Sequence, residues 1–154
     1  MSFSRGLALA LGALLACDGT AAEPGPGPGD VVLGTWGGTD AGLIADDTSA
    51  HLHIGCTLGN VTGPITLDSS GRFDVPALYN ITAYPVDRGI VHPARVVGVI
   101  TGRDLYLTVS LTDTAVVLGP VRLRLGTEPG MVMCPICRRA PAGPPRAPAA
   151  WRER

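Results

Sequence analysis

The sequence predicts an all-β fold, a small antiparallel up-and-down β-barrel of about eight strands, with a flattened β-sandwich as the alternative. Apolar and polar residues alternate with a period of two in several runs after residue 30, and no stretch there keeps a helical period of 3.6 residues. Clusters of Asp, Ser, Thr and Gly separate these runs and predict turns. Closing such a sheet on itself would bury every apolar strand face and leave no open edge.

The clearest alternation lies in the middle of the chain. Phe73, Val75, Ala77 and Tyr79 share one predicted face, and Leu105, Leu107 and Val109 share another. The predicted strands are 32–37, 41–46, 49–55, 64–67, 72–83, 93–101, 104–112 and 115–125. Proline cannot donate to a β-ladder, so we expect the prolines of this region at strand ends, edges or bulges. These prolines are Pro64, Pro76, Pro85, Pro93 and Pro120.

The first residues have the composition of an export signal. Arg5 precedes an uncharged run from Gly6 to Ala16, which is shorter than the roughly 20 apolar residues that a membrane-spanning helix needs. The run ends in Leu14-Leu15-Ala16-Cys17, which resembles the lipobox of bacterial lipoprotein precursors. The resemblance implies cleavage before Cys17, lipid on that cysteine and attachment to a membrane of the bacterial cell envelope. The alternative is an ordinary secretory signal cleaved after Ala21 or Ala22, which gives a secreted protein.

The predicted signal and the strand pattern together divide the chain into four parts. Residues 1–16 are the signal peptide, 17–30 the lipidated cysteine and a Pro/Gly tether, 31–137 the β-barrel domain, and 138–154 a disordered basic tail. Residues 18–137 hold six arginines against twelve acidic residues, a formal charge of −6. That charge repels nucleic acid, so we expect no nucleic-acid partner.

The cysteines predict a disulfide and leave one thiol over. If Cys17 carries lipid, Cys56, Cys134 and Cys137 remain. We expect a disulfide between Cys56 and Cys134. The alternative is that Cys56 pairs with Cys137. Cys134-Pro-Ile-Cys137 also has the spacing of a thiol redox pair, but the Arg- and Pro-rich residues after it do not predict the helix that activates such pairs.

The histidines do not predict a metal centre. His51 and His53 alternate with Ala50, Leu52 and Ile54, and therefore project from the polar face of their strand. Cys56 has the opposite parity, so one tetrahedral site would not collect the histidines and the cysteine. The aspartates fall in predicted turns, where carboxylates accept local backbone hydrogen bonds. We expect no metal, no cofactor and no enzymatic activity.

Gly34-Thr35-Trp36, at the start of the first predicted strand, resembles the Gly-x-Trp opening of lipocalin-like (calycin) barrels. That resemblance implies that an arginine of the last strand, Arg122 or Arg124, packs over Trp36 and closes the barrel beside a ligand site. Residues 33–134 are also similar to small uncharacterised bacterial secreted proteins, a similarity that implies no activity.

We therefore expect a monomeric, lipid-anchored, non-enzymatic protein that binds a small apolar ligand or a protein partner. The alternatives are a structural or interaction lipoprotein with a filled core, and a thiol redox protein using Cys134 and Cys137.

Overall fold

The computed structural model of the chain describes residues 24–83, 86–131 and 134. Cys17, Cys137, the predicted signal peptide and the basic tail lie outside these residues. Eight strands follow one another: β1 (Gly34–Gly37), β2 (Ala41–Ala45), β3 (Ser49–Ile54), β4 (Thr57–Thr62), β5 (Arg72–Asn80), β6 (His92–Thr101), β7 (Asp104–Leu111) and β8 (Val117–Leu125). The described part of the chain contains no helix, and so no helix that could cross a membrane.

The strands form one closed antiparallel barrel in which each pairs with its neighbours in the chain and β1 pairs with β8. In the closing pair, Trp36 lies opposite Leu125 and Gly37 opposite Arg124. The up-and-down barrel is therefore confirmed, and the sandwich is not the architecture. The start of β1 marks the end of the barrel that we call the proximal end. The β3–β4 turn lies at the other end, the distal end.

The fourth strand differs from the prediction. Residues 64–67 were expected to form it, but β4 is Thr57–Thr62. The alternation of β4 is weak because its inward positions include Gly59, which has no side chain. The ring of Tyr79, the register partner of Gly59, occupies the space that a Cβ would need.

The misassigned segment closes the proximal end of the barrel. The Val32 amide donates to the Ile65 carbonyl at 2.8 Å, and the Leu67 amide donates to the Asp30 carbonyl at 3.0 Å. Val32, Ile65 and Leu67 are buried. The alternation of Ile65 and Leu67 thus reflects real burial. This segment pairs with the chain that precedes β1, through an isolated antiparallel β-bridge between Val31 and Thr66, and not with a neighbouring strand of the barrel.

Side chains fill the barrel interior. The largest fully buried ones are Trp36, Tyr79, Leu43, Leu52, Ile65, Leu105, Leu107, Leu123, Val32, Val96 and Val109. A Cβ on Gly98 would overlap the ring of Phe73, its register partner on β5, just as one on Gly59 would overlap Tyr79. The two aromatic rings therefore occupy the space over two inward glycines. A barrel of about eight strands has an interior narrow enough for side chains to fill.

Prolines occupy the positions expected of residues without an amide hydrogen. Pro120 lies in β8 beside the register shift between Leu107 and Val109 of β7. Pro76 lies in β5 beyond the stretch that pairs with β4. Pro93 is the second residue of β6. These positions at a bulge, along an unpaired edge and near a strand start agree with the prediction. Pro85 lies outside the described residues.

Candidate functional site

Trp36 is a core residue in the structure. Its side chain has no solvent exposure, and its Nε1 donates to the Leu33 carbonyl at 3.1 Å. Leu43 lies opposite it on β2 and Leu125 on β8. This position puts Trp36 inside the closed wall of the barrel, where a ligand reaches it only by displacing core side chains.

The two arginines do not pack over Trp36, which corrects the expectation drawn from the calycin resemblance. Arg122 and Arg124 lie on the outer surface, and both bond to Asp104 of β7, at 2.8 and 3.5 Å. The inward residue between them is Leu123, which is fully buried. The Arg122 guanidinium holds the pKa of Asp104 below its usual range. The pair therefore ties β7 to β8 from outside and has no contact with the interior.

The structure bonds Cys56 to Cys134, with the two Cα atoms 5.5 Å apart. Cys56 lies in the short turn between β3 and β4 at the distal end, and both cysteines are half-buried. The bond spans 78 residues of sequence and ties the chain after β8 to the far end of the barrel. A loop of this size contributes about 4 kcal/mol to stability in the chain-entropy picture.

Between β8 and Cys134 the chain crosses the outside of the barrel, in a segment (residues 126–131) that we call the strap. The Gly126 amide donates to the Thr35 carbonyl at 2.8 Å, and the Gly130 amide donates to the Gly38 carbonyl at 2.9 Å. Gly42 faces the strap from β2, and a Cβ there would overlap the ring of Pro129. The strap therefore lies directly on the backbone of β1 and β2.

The strap depends on more than its hydrogen bonds. Ordering a residue costs about 1–2 kcal/mol, and a typical hydrogen bond returns about 1 kcal/mol net. Six strap residues are ordered against four hydrogen bonds, which include one from the Thr127 amide to the Arg124 carbonyl and one from His53 Nε2 to the Gly130 carbonyl. These bonds alone do not offset the ordering cost, so the packing of Pro129 and the disulfide supply the remainder.

A cleft of about 350 Å³ lies between the strap and the outer faces of β2, β3 and β4. We call it the strap cleft. Its lining residues are Ile44, His51, His53, Gly55, Thr57, Leu58, Pro129 and Met131. Ile44 and Met131 expose 53% and 60% of their surface, which is high for large apolar residues. Small-molecule sites are typically clefts of about 300–1,000 Å³ with mainly apolar walls and a few polar groups.

The polar side chains of the strap cleft are Thr57 and two histidines, and each histidine has a hydrogen-bond partner. His51 Nδ1 lies 2.8 Å from the side-chain oxygen of Asn60, which only accepts, so Nδ1 carries the hydrogen. The Nε2 of a neutral His51 is then a hydrogen-bond acceptor. His53 in turn donates its Nε2 hydrogen to the Gly130 carbonyl at 3.3 Å. The cleft therefore offers apolar walls and an acceptor nitrogen, and no carboxylate of the described residues lines it.

Two other clefts open on the surface. One of about 760 Å³ lies at the proximal end, where Pro24, Pro26 and Asp30 approach Arg103 and Glu128. The other, of about 390 Å³, lies outside β5 and β6, and its walls include Pro76, Leu78 and Pro93. The proximal cleft is formed largely by the entering chain and a mixture of charges. The strap cleft is more enclosed than the other two because the strap forms a wall that faces the barrel, so it is the best candidate site.

Two of the aspartates predicted to stabilise turns do so, whereas Asp104 and Asp113 bond instead to side chains of other strands. Asp46 accepts the amides of Thr48 and Ser49, both at 2.7 Å, and the Thr48 hydroxyl holds the pKa of Asp46 below its usual range. Asp68 accepts the amides of Ser70 and Arg72 at 2.8 and 2.9 Å, and its pKa is lowered chiefly by the Ser70 hydroxyl. These carboxylates are committed to local backbone geometry.

Within residues 24–83, 86–131 and 134, no group of three or more His, Cys, Asp or Glu side chains has the arrangement of a metal site. Comparisons with protein-family models, curated proteins and solved structures gave no match to this chain.

Sequence reasoning missed the strap cleft. Residues 126–131 have no periodicity, and Pro129 suggests only a loop. The available signal was Gly42, which occupies an outward position between the apolar residues Ala41 and Leu43. A glycine within a strand often marks the close approach of another backbone.

Proposed function

We propose that this protein is exported, anchored to a bacterial membrane by lipid on Cys17, and binds a small apolar ligand there without catalysing a reaction. The ligand site is the strap cleft, and the barrel interior is structural. The observation that carries the proposal is the contrast between an interior filled by large side chains and an outer cleft with Ile44 and Met131 exposed.

The cleft favours a ligand with an apolar body and one hydrogen-bond donor. Ile44, Leu58, Pro129 and Met131 supply the apolar contacts, and Nε2 of His51 accepts from a hydroxyl or N–H group. A free carboxylate on the ligand would find an acceptor instead of a donor at a neutral His51.

The position of the entering chain is compatible with the proposed anchor. Pro24 and Pro26 lie at the proximal end of the barrel, beside Gly34. The Cys56–Cys134 bond lies at the distal end. A tether from lipidated Cys17 would therefore hold the proximal end toward the membrane and turn the disulfide away from it.

Ligand binding is tested by titration with N-phenyl-1-naphthylamine, an apolar fluorophore that carries one N–H donor. We expect a saturable rise in fluorescence and, for Ile44→Asp, a loss of about tenfold in affinity, because an apolar ligand would strip water from the carboxylate on binding. Val117→Asp is the matched control, since Val117 is a similarly exposed aliphatic residue outside the cleft. An unsaturable signal, or equal affinities for the two variants, would overturn the ligand proposal.

The filled interior also supports the second candidate, a structural or interaction lipoprotein without a small-molecule site. Large core side chains such as Leu52, Tyr79 and Leu107 are fully buried. The same titration separates the two, because this candidate predicts no saturable fluorophore binding.

The thiol redox alternative has less support. Cys134 is bonded to Cys56, so a Cys134–Cys137 pair would require that bond to be exchanged first.

Lipidation is tested by growing expressing bacteria with radiolabelled palmitate. We expect label on the wild-type chain and on Cys137→Ser, and none on Cys17→Ser. Equal labelling of all three chains would contradict an anchor at Cys17. An unlabelled, processed chain in the medium would instead support ordinary secretion.

A further inference from the structure

The strap forms one wall of the strap cleft but is not part of the barrel. Pro129 and Met131 belong to the strap, whereas the opposite wall consists of Ile44, Leu58 and the two histidines of β3. The barrel closes without the strap, because β1 pairs directly with β8. The cleft can therefore be lost while the eight strands stay paired.

The non-covalent hold on the strap is weak and unevenly placed. Gly126 bonds to Thr35 close to the end of β8, where the strap begins, so this contact persists as long as the barrel does. The distal half depends on Gly130, whose amide bonds to Gly38 and whose carbonyl accepts from His53 at 3.3 Å. After Gly130, the disulfide from Cys134 to Cys56 attaches the chain to the distal end of the barrel.

We infer that the Cys56–Cys134 disulfide is a thiol-exchange site that controls the strap: its reduction by a dithiol releases the distal half and dismantles the strap cleft. The inference rests on the proposed function in so far as the cleft is the ligand site. The thiolate of the dithiol attacks one sulfur, and the other cysteine leaves as a thiolate. The second thiol of the reagent then attacks the reagent's sulfur in the mixed disulfide, and the remaining protein cysteine leaves as a thiolate. Two electrons and two protons pass to the protein, which gains two thiols while the reagent becomes a disulfide.

The position of the bond suits exchange with an external thiol. Cys56 and Cys134 are half-buried, and Cys56 lies in a turn at the distal end instead of in a strand. Neither cysteine belongs to the hydrophobic core cluster. Reduction therefore removes no core contact, and its direct structural effect falls on the strap.

The strap is followed by hydrogen exchange of the Gly130 amide in the full chain, oxidised and after treatment with dithiothreitol. We expect Gly130 to exchange about tenfold faster or more after reduction and to retain less protection than the Val96 amide in β6, because the strap opens locally while the barrel stays closed. Cys56→Ser should give the reduced result without reagent. The matched control Cys137→Ser should retain the oxidised result.

The variant Gly42→Val tests the contact between β2 and the strap while the disulfide is intact. Its side chain would overlap Pro129, so we expect faster exchange at Gly130 under oxidising conditions too. Unchanged Gly130 exchange on reduction of the wild type would overturn the inference, as would equal protection of Gly130 and Val96 in the reduced chain.

Fluorophore affinity is measured on the same samples. If the oxidised chain binds, we expect reduction to weaken binding about tenfold or more and reoxidation to restore it, because the Pro129 and Met131 wall is lost. Equal affinity in the two states would refute control of the cleft. If the oxidised chain does not bind, the proposed function fails, and Gly130 exchange alone decides whether the disulfide holds the strap.

Discussion

Truncating one interior leucine tests whether the barrel is filled. Leu107 in β7 is fully buried, and its register partners are Gly98 on β6 and Val121 on β8. Leu107→Ala removes apolar groups worth about 0.8 kcal/mol per CH₂, and in a packed core it also leaves a cavity. Such changes cost about 2–5 kcal/mol, and we expect about 3 kcal/mol here because Leu107 has no solvent exposure.

The measurement is urea unfolding of the oxidised protein, followed by intrinsic tryptophan fluorescence. We expect the midpoint to fall with an unchanged slope, since the surface exposed on unfolding hardly changes. Val117→Ala is the control, because Val117 is 61% exposed, and we expect a change within about 0.5 kcal/mol. A loss below about 1 kcal/mol for Leu107→Ala would refute the filled interior.

Three further predictions concern the packing, the disulfide and the turns. Gly98→Ala should destabilise the barrel by about 1–3 kcal/mol in the same assay, because its Cβ would overlap the Phe73 ring. Removing the disulfide with Cys56→Ser should lower the unfolding free energy by about 4 kcal/mol, against no change for Cys137→Ser. Acid should destabilise the fold, because hydrogen bonds lower the pKa of four carboxylates and their stabilisation is lost as pH falls through the lowered folded-state pKa values. These carboxylates are Asp46, Asp68, Asp87 and Asp104. Unfolding free energies should thus be level from about pH 7 to pH 5 and decline below about pH 4. Asp68→Asn should reduce that decline. An equally steep decline in the variant would contradict the role given to Asp68.

The barrel could be predicted where strands carry large side chains on their inward face. β5 and β7 have such faces, so their alternation is visible and their bounds were nearly right. β4 was missed because its inward residue Gly59 has no side chain. The ring of Tyr79 on β5 fills that space, and the alternation within β4 alone does not show this.

The position of Arg122 and Arg124 was also readable from the sequence. Leu123 and Leu125 alternate with them, so an inward leucine set already required outward arginines. The expected packing over Trp36 came from the calycin resemblance and conflicted with this alternation. The strap lay beyond prediction because it is held by backbone contacts and a disulfide between distant residues, which leave little trace in local composition.

We propose that the barrel is solid inside and binds its ligand on its outer surface. Methyl-resolved NMR of the oxidised protein during titration with N-phenyl-1-naphthylamine tests both parts of this proposal. We expect shift changes at the Ile44 and Met131 methyl groups of the strap cleft, with the buried methyl groups of Leu52 and Leu107 unaffected. Saturable changes at Leu52 and Leu107, with Ile44 and Met131 unperturbed, would place the ligand inside the barrel and contradict it.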